Sequence, residues 1–269
     1  MILPSKLMIL SASVLALSSQ SASAGSSGCK LKIMATLPVS MVGAKPTVTT
    51  QINGADATFM VDSGAFYSII TPGSAAQFGL RLQPLPFGFN IIGIGGRASV
   101  QVATVKKFGV VGQTLPNVQF LVGGSEIGND HGGVLGENIL GIADTEYDLA
   151  KGVVRLIRTE GCSRASFPFW VKTEPFSEID IDVSRYGTAQ RVIGAAYLNG
   201  IKLRVQFDTG ASASLITRSA AKRAGIDINS PGATSGGLSS GFGKQTVRTW
   251  IVPVASFKIG GEEIRKTKL

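Results

Sequence analysis

Two acidic residues occupy the same place in two copies of one short phrase. Asp62 lies in FMVDSGAFYSIIT and Asp208 lies in VQFDTGASASLIT. Two carboxyls held within hydrogen-bonding reach cannot both ionise, so one of them keeps a proton. Such a pair offers an acid and a base together, and it can hold a water, deprotonate it and protonate the amide that the water attacks. The titrations then belong to the pair rather than to either Asp.

The repeat makes these two Asp residues candidates for catalysis, because a lone Asp-Ser-Gly or Asp-Thr-Gly is common in ordinary turns. Asp62 and Asp208 are 146 positions apart, and the same offset relates other residues of the chain. One offset explains every match, which predicts an internal duplication with two pseudo-symmetric lobes. The further matched pairs are Asn53 with Asn199, Gly54 with Gly200, Thr71 with Thr217, Ala75 with Ala221, and Gly79 with Gly225.

Each copy predicts the same order of local structures around its Asp. An alternating stretch leads to an Asn-Gly turn, which is a strong hairpin signal. A second strand ends at the Asp, and the Gly two residues later permits a tight turn. A short amphipathic helix follows and ends at a Gly, after which two strands are joined by a Gly-rich tip. The pattern predicts an all-β fold with minor helix.

These motifs resemble the retropepsin-like and pepsin-like aspartic proteases, especially bacterial aspartyl proteases with two retropepsin-type lobes in one chain. The IIGIGG stretch at 91–96 resembles the glycine-rich flap of the retroviral members, and GVLGENIL at 133–140 resembles the aliphatic-aliphatic-Gly signature behind the catalytic loop. The resemblance implies a bilobal acid-protease fold of two retropepsin-like β-barrel lobes with short helices. It is carried by Asp62-Ser63-Gly64-Ala65 with Ser68, and by Asp208-Thr209-Gly210-Ala211 with Ser214.

The resemblance also implies roles for the matched loop residues. Asp62 and Asp208 would form the catalytic dyad, and Ser63 and Thr209 would hydrogen-bond across the lobe interface. The remaining loop residues would allow the turns and present backbone N–H groups near the carboxylates. These supporting residues are Gly64, Ala65, Gly210 and Ala211.

The glycine-rich tip would close as a flap over an extended substrate, its glycines allowing opening and close backbone contact. The flap of pepsin-type members carries a Tyr, and its absence here favours retropepsin-like substrate handling. A plain hairpin turn is the alternative interpretation of this stretch. The flap residues are Ile91, Ile92, Gly93, Ile94, Gly95 and Gly96.

The predicted function is therefore that of an aspartic endopeptidase that needs no metal or organic cofactor. Its partner would be a polypeptide substrate in an extended conformation. Two alternatives stay open: a non-catalytic peptide-binding or scaffold protein with the same fold, and an enzyme active only as a dimer of first lobes. Both retained acids favour catalysis over the scaffold.

Other chemistries find little support in the sequence. The loose dinucleotide fingerprint at 93–98 is followed by an alternating strand rather than by the helix it requires. His131 is the single histidine, and its turn-like surroundings predict an exposed side chain. The net charge of +9 is concentrated in the second half, without the aromatic and basic motif of a nucleic-acid site.

The first residues predict a signal peptide over 1–24. Lys6 precedes a short apolar run, and Ala22-Ser23-Ala24 fits the small-x-small rule for cleavage after Ala24. Export to the periplasm or the exterior follows, with no stable membrane insertion after cleavage; an uncleaved anchor is the alternative. In an oxidising compartment Cys29 and Cys162 either pair or remain two free buried thiols.

The predicted organisation is a first retropepsin-like lobe at 25–158, a linker at 159–185 and a second lobe at 186–269. After FKIGG at 257–261 the sequence continues only with EEIRKTKL, and no second aliphatic-aliphatic-Gly segment follows. We therefore expect a second lobe that is incomplete, as in a truncated sequence that by itself is poorly active, aggregation-prone, or rescued by pairing through the first lobe. The alternative is completion by a neighbouring segment such as 166–183.

Overall fold

The computed structural model describes residues 29–87, 89, 91–124, 131–162, 176–182 and 192–269. The predicted signal peptide lies outside these residues. We refer to described residues 29–162 as the first lobe and to the later ones as the second lobe. No sheet joins strands of both lobes within the described residues. The lobe and linker boundaries given above stay predictions.

The first lobe is built almost entirely of strands. Its helices are α1 Pro72–Gln77 and α2 Glu137–Leu140, with one 3₁₀ turn at Leu149–Lys151. Its strands are β1 Lys30–Pro38, β2 Ser40–Val42, β3 Lys45–Ile52, β4 Ala55–Val61, β5 Ile69–Ile70, β6 Leu82–Pro84, β7 Ile91–Gly93, β8 Gly96–Ala98, β9 Gln101–Val110, β10 Gln113–Val122, β11 Gly133–Leu135, β12 Asp144–Asp148 and β13 Val153–Glu160.

Six of these strands close into a barrel in the order β3-β4-β11-β5-β10-β9, with β9 pairing back onto β3. The hairpin β3–β4 turns at Asn53 and Gly54, whose φ angles of 52° and 91° are those of the predicted Asn-Gly turn. The barrel is filled by the fully buried rings of Phe59, Phe108 and Phe120, whose centroids lie 5.1–6.1 Å apart.

The second lobe repeats the start of this plan. Its hairpin β14–β15 turns at Asn199 and Gly200, again with positive φ angles, and Thr217 caps α3 through a bond from the Ala220 N–H. The same cap is made in the first lobe by Thr71 on α1. The elements are β14 Ile193–Leu198, β15 Ile201–Gln206, α3 Arg218–Arg223, β16 Thr234–Ser239, β17 Val247–Ile251, β18 Pro253–Ile259 and β19 Glu262–Lys268.

The two lobes differ in closure. In the second lobe the sheet runs β15-β14-β18-β19, so β15 is an edge strand within the described residues. Its counterpart β4 pairs in parallel with β11 in the first lobe. The predicted all-β fold with short helices is confirmed. Within the described part of the chain only the first lobe closes as a barrel.

Residues 176–182 of the predicted linker lie against the second lobe. Ser177 Oγ accepts a bond from the Gly261 N–H at 3.0 Å, and the Asp182 N–H donates to the Ile193 carbonyl at 2.7 Å. The 146-residue offset relates this segment to the start of β1, not to β11. The rest of the segment 166–183 lies outside the described residues, so completion of the second lobe by this segment stays a prediction.

Strand β1 ties the start of the first lobe to its end. It pairs antiparallel with β13, so that Lys30 lies opposite Glu160. This register brings Cys29 and Cys162 together in a disulfide with Cα atoms 4.2 Å apart. Pairing of the two cysteines, rather than two free thiols, is confirmed. No helix among the described residues is long and apolar enough to cross a membrane.

Candidate active site

The first candidate loop leaves β4 at Asp62. The Asp62 N–H donates to the Leu135 carbonyl at 3.0 Å, which fixes the start of the loop to β11. Asp62 Oδ1 then accepts bonds from the N–H groups of Gly64 at 2.8 Å and Ala65 at 3.0 Å. The carboxyl is held by its own turn, with its second oxygen left for other partners.

The second candidate loop repeats this geometry. Asp208 Oδ1 accepts from the N–H of Gly210 at 2.8 Å and from that of Ala211 at 3.1 Å. The matching distances show that the repeated tetrapeptide produces the same local structure twice. The sequence pattern therefore encodes the orientation of each carboxyl.

Four crossed hydrogen bonds join the two loops through Ser63 and Thr209. The Ser63 N–H donates to Thr209 Oγ1 at 3.1 Å, and the Thr209 N–H donates to Ser63 Oγ at 3.0 Å. Ser63 Oγ donates to the Phe207 carbonyl at 2.9 Å, and Thr209 Oγ1 donates to the Val61 carbonyl at 2.9 Å. The cross-lobe bonds expected from the sequence are therefore present.

Each carboxyl lies directly against the glycine of the opposite loop. A Cβ atom on Gly64 would stand 2.6 Å from Asp208 Oδ2, and one on Gly210 would stand 2.6 Å from Asp62 Oδ2. Real Cβ atoms do not approach other atoms so closely. Glycine is needed at both positions because any larger residue would push the two carboxyls apart.

The pair has the electrostatics of two acids that share a site. Burial raises the pKa of Asp62 above its usual range, and the charge and hydrogen bond of Asp208 raise it further. The backbone bonds from Gly64 and Ala65 oppose this effect without cancelling it. Asp62 therefore retains a proton at pH values where an isolated Asp would have lost it.

Comparison with known proteins gives the family. The sequence model of the aspartyl protease family matches residues 48–143 and 194–269, which is more than half of the chain and includes both Asp loops. The chain belongs to the aspartyl protease family. No curated protein matches it.

Solved structures similar to this aspartyl protease chain include a retropepsin-like aspartic protease from Rickettsia conorii. It is 20% identical, with a TM-score of 0.35, over 49% of this chain and 94% of that one. The EIAV protease in complex with the inhibitor HBY-793 is 23% identical, with a TM-score of 0.30, over 36% of this chain and 86% of that one.

The aliphatic-aliphatic-Gly segment lies behind the Asp62 loop, as the sequence predicts. Asn138 Oδ1 accepts from the backbone N–H and the hydroxyl of Ser68, at 2.6 and 2.8 Å. Ser68 Oγ in turn accepts from the Gly136 N–H at 3.0 Å. The Glu137 N–H donates to the Ala65 carbonyl at 2.8 Å. The Asp62 loop is therefore fixed to β11 and α2 along its whole length.

The predicted flap residues 91–96 form the hairpin β7–β8, and its tip meets a second tip. The Gly95 N–H donates to the Phe242 carbonyl at 3.0 Å, and the Gln245 N–H donates to the Gly95 carbonyl at 2.9 Å. Ile91 and Phe242 pack against the apolar cluster that also contacts Ala65 of the Asp62 loop. Both tips of this aspartyl protease therefore converge near the candidate dyad.

The sequence predicts a Gly-rich tip in each copy, and the second tip lies between β16 and β17. The 146-residue offset carries 91–96 onto GLSSGF at 237–242. The bonds between the two tips were not predicted.

The prediction that His131 is exposed was wrong, since the residue is only 6% exposed. The neighbouring Gly132 N–H donates to the Thr58 carbonyl at 2.7 Å, so the chain enters the barrel here rather than turning at the surface.

Among the described residues, no group of three or more His, Cys, Asp or Glu side chains could hold a metal ion.

Proposed function

We propose that the chain is an aspartic endopeptidase that hydrolyses peptide bonds with a water activated between Asp62 and Asp208. One observation carries this proposal. Each carboxyl is held by its own turn, and the two turns are joined face to face by the Ser63 and Thr209 bonds. This arrangement is what a pair sharing one proton requires.

In this mechanism the pair uses its single proton. A water held between the carboxyls gives a proton to the ionised one as its oxygen attacks the peptide carbonyl carbon. The other carboxyl gives its proton to the carbonyl oxygen, so no net charge is created on the substrate. The carboxyl that took the proton from the water then gives it to the amide nitrogen. The C–N bond breaks, and a hydroxyl of the tetrahedral intermediate returns its proton to the other carboxyl, so the pair again holds one proton. Burial favours the protonated form of Asp62 at the start of the cycle.

We propose that the substrate is an extended polypeptide held between the lobes and under the two tips. The bonds between Gly95 and the Phe242–Gln245 segment would open to admit it. An extended chain offers backbone groups that can replace these bonds.

The experiment compares Asp62→Asn and Asp208→Asn on a denatured protein substrate. Each variant should lose about 1000-fold or more in kcat/KM, because residues that act as a unit fail together. Asp56→Asn is a matched control, since Asp56 is exposed and bonded only to the neighbouring Gln51 in the described structure. Normal turnover in either dyad variant would overturn the proposal. Binding of peptide without turnover by the unaltered chain would instead support the scaffold alternative.

We also propose that the protein is exported and that the leader is removed after Ala24. The Cys29–Cys162 disulfide supports this, because such bonds persist in oxidising compartments. N-terminal sequencing of the mature protein should begin at Gly25. Recovery of Met1 on cytoplasmic protein would contradict both parts.

A further inference from the structure

Glu137 is a buried acid that the proposed dyad chemistry does not use. It is the first residue of α2 and is only 6% exposed. Its backbone N–H donates to the Ala65 carbonyl, and the preceding Gly136 is in close contact with the backbone of Ala65 and Tyr67. Glu137 therefore lies directly behind the loop that carries Asp62.

The Glu137 carboxyl faces a hydroxyl rather than a cation. Tyr147 Oη on β12 donates to Glu137 Oε1 at 3.3 Å. On the other side the carboxyl lies close to the backbone of Gly141. A Cβ atom added to Gly141 would stand 3.0 Å from Glu137 Oε2. No salt bridge reaches this carboxyl among the described residues. An ionised carboxylate in such surroundings lacks the compensation that a buried charge needs.

Two ion pairs occupy four charged groups of the surrounding elements. On β12 and β13, Glu146 pairs with Arg155 at 2.8 Å. At the 3₁₀ turn, Asp148 pairs with Lys151 at 2.9 Å. On the loop in front, Asp62 is close enough to Tyr147 to act on it electrostatically. Around Glu137, therefore, the facing titratable groups are Tyr147 and, beyond it, Asp62.

We infer that Glu137 is a positioning residue for the Asp62 loop and that it performs this role in its protonated form. This inference rests on the proposed function, since the alignment of the loop affects turnover only if Asp62 is catalytic. The neutral acid lets residues 136–138 lie against the loop without a buried charge. Ionisation places an uncompensated charge there and draws water in, which loosens the contact between Glu137 and Ala65.

The titration of Glu137 agrees with this geometry. Burial raises the pKa of Glu137 to about 7, and the Tyr147 hydrogen bond opposes burial only in part. Because this folded pKa lies above the ordinary value of 4.5, the stabilisation by the neutral form is complete below about pH 4.5 and is lost as the pH rises through about 7. The loss of stability therefore falls between about pH 4.5 and pH 7.

The first test measures thermal unfolding of Glu137→Gln against the parent at pH 5 and pH 8. Both are made in the Asp62→Asn background, which removes the titration of Asp62. Gln cannot ionise, so the melting temperature of the Gln variant relative to its parent should rise by about 5 °C between the two pH values. Glu146→Gln is the matched control on the adjoining strand, and it should leave the pH dependence unchanged. Parallel curves for Glu137→Gln and its parent would overturn the inference.

The second test uses the intact dyad and the pH dependence of kcat/KM. With a pKa of about 7, roughly a quarter of Glu137 stays protonated at pH 7.5. Glu137→Gln should therefore keep about fourfold more of its pH 5 activity at pH 7.5 than the unaltered protein. Tyr147→Phe removes the bond that favours ionisation, so its loss of activity should move to higher pH. Identical profiles would overturn the inference, whereas a shifted unfolding curve without hydrolysis in any variant would refute the proposed function alone.

Discussion

The Asp62 and Asp208 loops begin alike and then diverge. Their first four residues make the same bonds at nearly the same distances. Six positions after each Asp, Ser68 is fully buried, whereas Ser214 is exposed. At the next position the contrast is between Ile69, which is 7% exposed, and Leu215, which is 53% exposed.

The difference shows that a loop of this kind is held by two separate sets of contacts. The tetrapeptide and its crossed bonds orient the carboxyl, and they are shared by both loops. The support from behind comes from the 133–138 segment, which in the described residues serves only the Asp62 loop. Among the described residues, the Asp208 loop lacks this support and is held by the Ser63 and Thr209 bonds and by the bond from Gln206 Nε2 to the Gly64 carbonyl. The Asp62 loop has the shared bonds and the support from behind.

The largest effects should come where the two loops are equivalent. Gly64→Ala and Gly210→Ala would each place a Cβ atom 2.6 Å from the opposite carboxyl. Both should lower kcat/KM by about 100-fold or more, because displacements near 1 Å have effects of this size. The measurement is steady-state hydrolysis of a denatured protein. Gly73→Ala is the control, since no atom lies within 4 Å of the added Cβ. Unequal losses at the two glycines would break the equivalence.

Truncating the apolar residue seven positions after each Asp should show which loop is supported from behind. Ile69→Ala removes a buried side chain and should lower the free energy of unfolding by about 2–4 kcal/mol. Leu215→Ala trims an exposed side chain and should change it by less than about 1 kcal/mol. Chemical denaturation measures both. Equal losses would mean that Leu215 is covered in solution, and the contrast between the loops would fail.

The matched serines provide a smaller version of the same test. Ser68→Ala removes the bonds to Asn138 and Gly136 and leaves buried groups unpaired, which should lower the free energy of unfolding by about 1–3 kcal/mol. Ser214→Ala should stay within about 0.5 kcal/mol of the parent. A large loss at Ser214 in the same denaturation assay would reveal a support for that loop from outside the described residues.

The smallest expected effect concerns the coupling between the two acids. Asp208→Asn removes the charge that helps to raise the pKa of Asp62, while burial remains. The pKa of Asp62 should fall by about one unit and stay above the ordinary Asp value. A carboxyl-detected NMR titration measures this change. Because the folded pKa of Asp62 is raised, the associated stability is lost between the unfolded pKa and the folded pKa, and this loss should be complete at a lower pH in the variant. An unchanged pKa would mean that the carboxyls do not interact.

Local patterns predicted the parts of the fold that local residues determine. A few adjacent residues determine each Asn-Gly hairpin, each Thr-capped helix and each turn at Asp62 and Asp208. The 146-residue repeat shows each of these patterns twice. The Ser63 and Thr209 bonds were predicted from the resemblance, because in the family these two motif positions hydrogen-bond across the lobe interface.

Features that depend on distant contacts were not predictable in the same way. The burial of His131 depends on the path of the chain beside Thr58, which no neighbouring residue reveals. The pairing of Asn138 with Ser68 joins residues 70 positions apart. The sequence predicts a Gly-rich tip in each copy, but the meeting of the two tips depends on both lobes being in place.

The disulfide makes the first lobe a covalent ring. Cys29 and Cys162 are 133 positions apart, and the whole β-barrel lies between them. A proteolytic nick anywhere inside this ring leaves a single covalent molecule, whose halves remain tethered while the barrel strands stay paired. A nick after Cys162 and before β14 leaves the two lobes joined only by hydrogen bonds and apolar contacts. A nick before Cys162 therefore keeps Asp62 and Asp208 on one covalent molecule, whereas a nick after it leaves the two acids on separate polypeptides.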